Sequence, residues 1–157
     1  MRIIIFTGQI RSGKTTLLSN SQIKLSGFLA PDRDGKRVFL DLKTRLESEF
    51  ETSNLENSQQ IGRFRFLNQI FVKAAALFDD FLESNEKIFV VDEVGKLELM
   101  QQKGHFALFE RILAAKGDKV AVLVVREELV EEILKKVGQA EVVRADAMEK
   151  VLAGINQ

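Results

Sequence analysis

Hydrophobic positions along this chain follow three rhythms: short unbroken runs, alternation, and helical spacing. Unbroken runs mark strands covered on both faces, as in a parallel sheet. They occur at Arg2 to Thr7, Lys87 to Val91 and Val120 to Val125. Leu25 to Ala30 and Lys36 to Leu42 are also strand-like, and the turn formers Pro31, Asp34 and Gly35 between them predict an antiparallel hairpin. Leu46 to Glu51 alternates apolar with charged residues and predicts a half-exposed strand, whereas Thr52 to Gln60 is polar and reads as a surface loop. Helical spacing of Ile70, Phe71, Ala74, Leu77, Phe78 and Phe81 predicts an amphipathic helix over Asn68 to Leu82. Helices at Phe106 to Ala115, Glu127 to Val137 and from about Asp146, with a short strand Glu141 to Arg144, complete an α/β pattern. It implies a mostly parallel sheet with helices on both faces and an antiparallel hairpin inserted after the first helix. The pattern leaves strand order open.

At 157 residues the chain has the length of one domain, spanning 1–157. Hydrophobic residues make up 45% and charged residues 29%, which is too apolar for disorder. Lys plus Arg and Asp plus Glu each total 23, so no global basic field draws in nucleic acid or anionic lipid. An anion site must therefore be local. The chain has no cysteine, which rules out disulfides and thiolate chemistry and agrees with a cytoplasmic location. No run approaches the ~20 apolar residues of a membrane span, and Ile3 to Phe6 is too short for a signal-peptide core.

The local anion site is Gly8, Gln9, Ile10, Arg11, Ser12, Gly13, Lys14 and Thr15, which fits GxxxxGK[ST] at every fixed position. It follows a buried-strand run and opens a helix, so backbone N–H groups turn toward a phosphate. The two glycines permit close backbone approach, and Lys14 reaches the β- and γ-phosphates of a nucleoside triphosphate. Thr15 offers its hydroxyl to Mg²⁺. Thr16 stands where it meets the α-phosphate or is an ordinary first-turn residue, and Arg11 either touches phosphate or faces water. A carboxylate at the end of a second buried strand is the next requirement, and Asp92 supplies it as the Mg²⁺ partner. Glu93 follows as the residue to polarise an attacking water, so Glu93 and Lys14 are the candidate catalytic pair. Arg126 ends another strand, from which it meets the γ-phosphate or pairs with Glu127; Arg63 reads as structural. His105 is the only histidine and reads as a helix-start residue, without partners for a transition metal. The twelve phenylalanines read as core, with Phe28 the one considered for a place beside the base.

Gly13 to Leu17 (GKTTL), Ser26 to Phe28 (SGF), Ile61 to Phe64 (IGRF) and Asp92 to Leu99 (DEVGKLEL) resemble, in content and order, the small broad-specificity nucleoside triphosphatases of the THEP-one type. The resemblance spans nearly the whole chain. It implies a RecA-like three-layer P-loop NTPase sandwich and Mg²⁺-dependent hydrolysis of several nucleoside triphosphates to diphosphate and phosphate. Lys14, Thr15, Asp92 and Glu93 inherit the corresponding roles. Departures from the family pattern are a short connection between Thr16 and Gly27, Leu97 in place of methionine, Phe64 in place of tyrosine, and a different approach from Met100 to Phe106. Gly95 reads as a tight turn after the carboxylates, and Lys96 and Glu98 as surface charges. Two other functions share the glycine loop. One is a small-molecule or nucleotide kinase, against which the absence of an arginine-rich lid counts. The other is a nucleotide-dependent switch that binds a protein partner and turns over slowly.

Overall fold

The computed structural model describes residues 1–9, 11–95 and 101–156. The elements run β1 (Arg2–Gly8), α1 (Lys14–Ser19), β2 (Ser26–Leu29), β3 (Asp32–Arg33), β4 (Lys36–Asp41), β5 (Glu47–Glu49), β6 (Ser58–Ile61) and β7 (Phe64–Leu67). They continue with α2 (Asn68–Glu83), β8 (Ile88–Val94), α3 (Phe106–Ala114), β9 (Val120–Arg126), a 3-10 turn (Glu127–Leu129), α4 (Val130–Val137), β10 (Glu141–Arg144) and α5 (Ala145–Ile155). The main sheet is eight-stranded in the order β10-β1-β9-β8-β2-β4-β3, with β5 on β4. Pairing from β10 through β2 is parallel, and β3, β4 and β5 pair antiparallel at the edge.

Strand alternation divides the core in two. Ile3, Ile5, Phe89, Val91, Ala121 and Leu123 face α2, α3 and α4, where they pack with Ile70, Ala74, Phe78, Leu108, Phe109 and Ile133. Ile4, Phe6, Val90, Val122 and Val124 face the other way and pack with Leu18 of α1 and Met148 and Leu152 of α5. Each apolar run thus serves both faces, which is why it carries no polar alternation. The product is a three-layer α/β sandwich with an antiparallel edge.

Two segments differ from the sequence reading. Residues 58–60, expected in a surface loop, belong to β6, which forms a separate two-stranded sheet with β7 around Gly62 (φ +61). Their polar side chains hide the strand, because the hairpin is anchored by its partner: Phe66 is buried, and the chain just after β5 donates from Thr52 N to Arg65 O and accepts at Phe50 O from Leu67 N. The strand expected to end at Val91 runs on through Asp92 and Glu93 to Val94. Charge at a strand end reads as solvent, but Asp92 is only 2% exposed.

Gly27 sets how closely β2 approaches β8. Its φ is +95, and a Cβ there would lie 2.0 Å from the carbonyl oxygen of Val90, its partner across the sheet. No side chain fits that point.

Candidate active site

β1 delivers the glycine loop and α1 begins immediately after it. Gly13 is left-handed at φ +82 and Arg11 at φ +60, so the loop doubles back beneath Lys14. The Lys14 ammonium donates to Gly8 O at 3.0 Å, Gln9 O at 2.9 Å and Ser12 Oγ at 3.2 Å. These neutral acceptors hold the cation over the loop, where anionic phosphate oxygens are stronger competitors. Burial lowers the Lys14 pKa against the pull of Asp92, and Arg126 adds to the lowering. Arg126 stands opposite Gly8 in the β1–β9 register. Of the two alternatives for Arg126, the pair with Glu127 does not form among the described residues, where Glu127 pairs with Arg144 at 2.5 Å. Thr16 and Arg11 are exposed, and Ile10 lies outside the described residues, as do Lys96, Leu97, Glu98 and Met100.

The second half of the site is the tip of β8. An undistorted strand sends consecutive side chains to opposite faces. Here β8 advances three residues, Val91 to Val94, while β9 advances two, Leu123 to Val125, and Glu93 takes φ +57. This bulge re-aims the strand end so that Asp92 and Glu93 both line one cavity. Asp92 Oδ2 accepts from Ala30 N at 2.9 Å and from Thr15 Oγ1 at 3.3 Å. Its Oδ1 is buried without a hydrogen-bond partner among the described residues. Burial raises the Asp92 pKa, opposed by the Ala30 hydrogen bond and by Arg37, Thr15 and Lys14.

The cavity has a volume of about 400 Å³. Phe50, Phe64, Phe66 and Phe71 form its apolar wall, and Arg37, Arg63 and Arg126 its cationic rim. Arg37, from β4, forms an ion pair with Glu93. Arg63 lies over the Phe64 ring at 4.8 Å. His105 does begin α3, yet it is also buried, with ring centroids 4.7 Å from Phe28 and 4.8 Å from Phe71. Burial lowers its pKa to about 3. Phe28, considered above for the base, is fully buried between Phe39 and His105 and so is closed to a ligand. A second cleft of about 500 Å³ lies at the far end of α1 among Ser19, Lys24, Lys43 and Arg45, and contains none of the loop or strand-tip residues.

A sequence model of the family described as NTPase matches residues 3–152 of this chain. The chain belongs to that NTPase family. The NTPase is also similar in structure to THEP1 from the hyperthermophile Aquifex aeolicus, with TM-score 0.70, 18% identity and 99% of each chain covered. A human cancer-related nucleoside triphosphatase is similar at TM-score 0.64 and 20% identity, over 99% of this chain and 95% of that one. Curated protein sequences give no match. The THEP-one resemblance and the P-loop NTPase sandwich expected from the residues therefore hold for fold and family.

Two groups at the NTPase site escaped the sequence reading, Arg37 and the Ala30 amide. Both come from the hairpin, about sixty residues before Asp92 in sequence, and nothing local at either position distinguishes it. Arg37 follows another cation, Lys36, and reads as a solvated strand residue until β4 is placed beside β2.

Proposed function

We propose that this NTPase is a Mg²⁺-dependent nucleoside triphosphate phosphohydrolase that seats the phosphates on Gly8 to Thr15, with Thr16 beside them, and uses Glu93 as general base. The observation that carries the reading is the pairing of Asp92 with Thr15 across the site: a buried carboxylate keeps one oxygen unpartnered while the other holds the loop's hydroxyl. A buried, unpaired carboxylate oxygen costs free energy that a cation would recover. Asp92 and Thr15 are therefore the residues that would hold Mg²⁺, whose chemistry there is to neutralise charge on the phosphate oxygens.

In the step itself a water oxygen forms a bond to the γ-phosphorus, and the bond to the β,γ-bridging oxygen breaks. Glu93 accepts the water proton; the products are a nucleoside diphosphate and inorganic phosphate. Lys14 and the loop N–H groups offset the charge on the phosphates. The THEP-one resemblance supports breadth toward the base. The site's own chemistry acts on phosphate, which all nucleoside triphosphates share. No helix among the described residues is long and apolar enough to cross a membrane.

Phosphate release with Mg²⁺ and ATP, GTP, CTP or UTP tests the reading. Glu93→Gln should lower kcat by about 10²–10⁴-fold with nucleotide still bound, and Lys14→Ala should weaken triphosphate binding. Binding without release by the wild type would overturn it. One observation favours a kinase instead: the cavity beside Glu93 is more than ten times the ~30 Å³ share of one water. Nucleotide consumption that depends on an added acceptor, without phosphate release, would establish that second reading.

A further inference from the structure

We propose that Arg37 is the γ-phosphate sensor of this site: it pairs with Glu93 in the nucleotide-free protein and transfers to the γ-phosphate when a triphosphate binds. The inference rests on the reading above, in which the loop holds the nucleotide and Glu93 is the base.

Arg37 and Arg126 line the cavity at Asp92, and Lys14 of the glycine loop acts on the same carboxylate. Asp92 lies within the electrostatic reach of both Lys14 and Arg37, and Arg126 acts on both of those cations. In this proposal the γ-phosphate that Lys14 reaches at the tip of β1 lies between Lys14 and Arg37, the two cations whose charge acts on Asp92. Arg126 and Arg63 are exposed and form no ion pair with a carboxylate among the described residues. Of these cations, Arg37 alone is bonded, among the described residues, to the group read as the base.

Its anchoring suits a side chain that changes partner over a fixed backbone. Arg37 N donates to Glu51 Oε2 at 3.0 Å, and Arg37 O accepts from Glu51 N at 3.0 Å. Arg37 lines the cavity of about 400 Å³, with its guanidinium carbon 5.9 Å from the Phe64 ring centroid. The Arg37 side chain is only 21% exposed and that of Glu93 42%, so the pair is partly withdrawn from water. A phosphate carrying two charges competes well there against one carboxylate, because a guanidinium binds its oxygens in a matching fork.

The exchange has a chemical consequence. While Arg37 is bonded to Glu93 Oε2, that oxygen is engaged and is not available to take a proton from water. Arrival of the γ-phosphate draws the guanidinium away and frees the base at the moment substrate is present. A diphosphate, lacking that group, leaves the pair closed. Selection against diphosphate and activation of the base are one event.

Equilibrium binding of a β,γ-imido triphosphate and of the diphosphate, in EDTA so that neither metal nor turnover contributes, tests the proposal. Wild type, R37A, R37K, E93Q and the R37A/E93Q double variant are compared. R37A should weaken the triphosphate analogue by about 10–100-fold, the worth of a charge-assisted hydrogen bond, and the diphosphate by less than about 2-fold. R37K should recover part of the loss. E93Q should tighten the triphosphate by about 3–10-fold where Arg37 is present, and by less than about 2-fold in the R37A background. Equal weakening of triphosphate and diphosphate by R37A, or equal tightening by E93Q in both backgrounds, would overturn it. R37K keeps the cation, so it decides the matter if R37A fails to fold: triphosphate affinity unchanged in R37A or R37K counts against the proposal. Failure of the underlying reading looks different, since K14A would then leave triphosphate binding intact or E93Q would still release phosphate.

Discussion

The site has two halves, the tip of β1 and the tip of β8, and they are built by opposite means. At β1 the machinery is consecutive: Gly8 to Thr15 is one loop whose shape comes from its own glycines and whose lysine bonds to its own carbonyls. At β8 only Asp92 and Glu93 are local. Their geometry is imposed by a bulge against β9, an amide from β2's end and a guanidinium from β4. A contiguous loop can be seated on any suitable strand, whereas the carboxylate half exists only if the hairpin edge has been assembled correctly.

The sharpest way to break that asymmetry is Gly27→Ala. The added Cβ would collide with the Val90 backbone at 2.0 Å, so β2 would have to leave β8. A loss of about 4 kcal/mol or more is expected, in the range reserved for severe core disruption. Denaturant unfolding measures it. Because the loop half depends on β1 and α1, residual triphosphate binding with no hydrolysis in any folded fraction would display the asymmetry directly, and near-wild-type stability would refute it.

Acid provides the next test. The His105 pKa is lowered to about 3 by burial, against 6.5 when exposed. The unfolded chain takes up a proton as pH falls below 6.5, and the folded chain does not until about 3. Stability is therefore lost progressively across that window as pH falls, at up to about 1.4 kcal/mol per pH unit, or about 2–3 kcal/mol by pH 4.5. His105→Phe, placed among Phe28, Phe50 and Phe71, should flatten this slope in unfolding measurements from pH 7 to 4. An unchanged slope would show that another group carries the acid sensitivity.

Asp92→Asn should have the smallest effect on stability, and of opposite sign. Burial raises the Asp92 pKa, so at neutral pH the folded protein bears the cost of an ionised, half-unpartnered carboxylate. The amide keeps an acceptor for Ala30 N and should stabilise the metal-free protein by about 1 kcal/mol. The gain should vanish below the ordinary carboxylate pKa, where the wild-type group is protonated in both states. Thermal melts at pH 7 and pH 3.5, with and without Mg²⁺ and nucleotide, check this; destabilisation at pH 7 would contradict it.

The same asymmetry explains what was legible in the sequence. Arg2 to Thr7 and Val120 to Val125 could be placed because both faces of each strand are covered, and the loop because its conformational demands fall on adjacent residues. The β6 strand could not, since its polar residues satisfy the backbone through β7 rather than through any pattern of their own. Asp92 and Glu93 were visible as chemistry but not as geometry. The bulge that turns them toward one cavity is a relation between β8 and β9, and alternation within β8 alone points them apart. Arg37 was invisible for a like reason, as a cation acquires meaning only from what faces it.

Gly27 also acts as a ruler. It sits opposite Val90, and three residues later the Ala30 amide meets Asp92, two residues beyond Val90. Because no other residue fits the Gly27 position, β2 cannot slide along β8, and the spacing between these points is fixed on both strands. Insertions between Gly27 and Ala30, or between Val90 and Asp92, would put the two ends of that hydrogen bond out of alignment. Insertions at residues 20–24 or 43–45 would leave it untouched, so changes in chain length have somewhere to accumulate without disturbing the carboxylate.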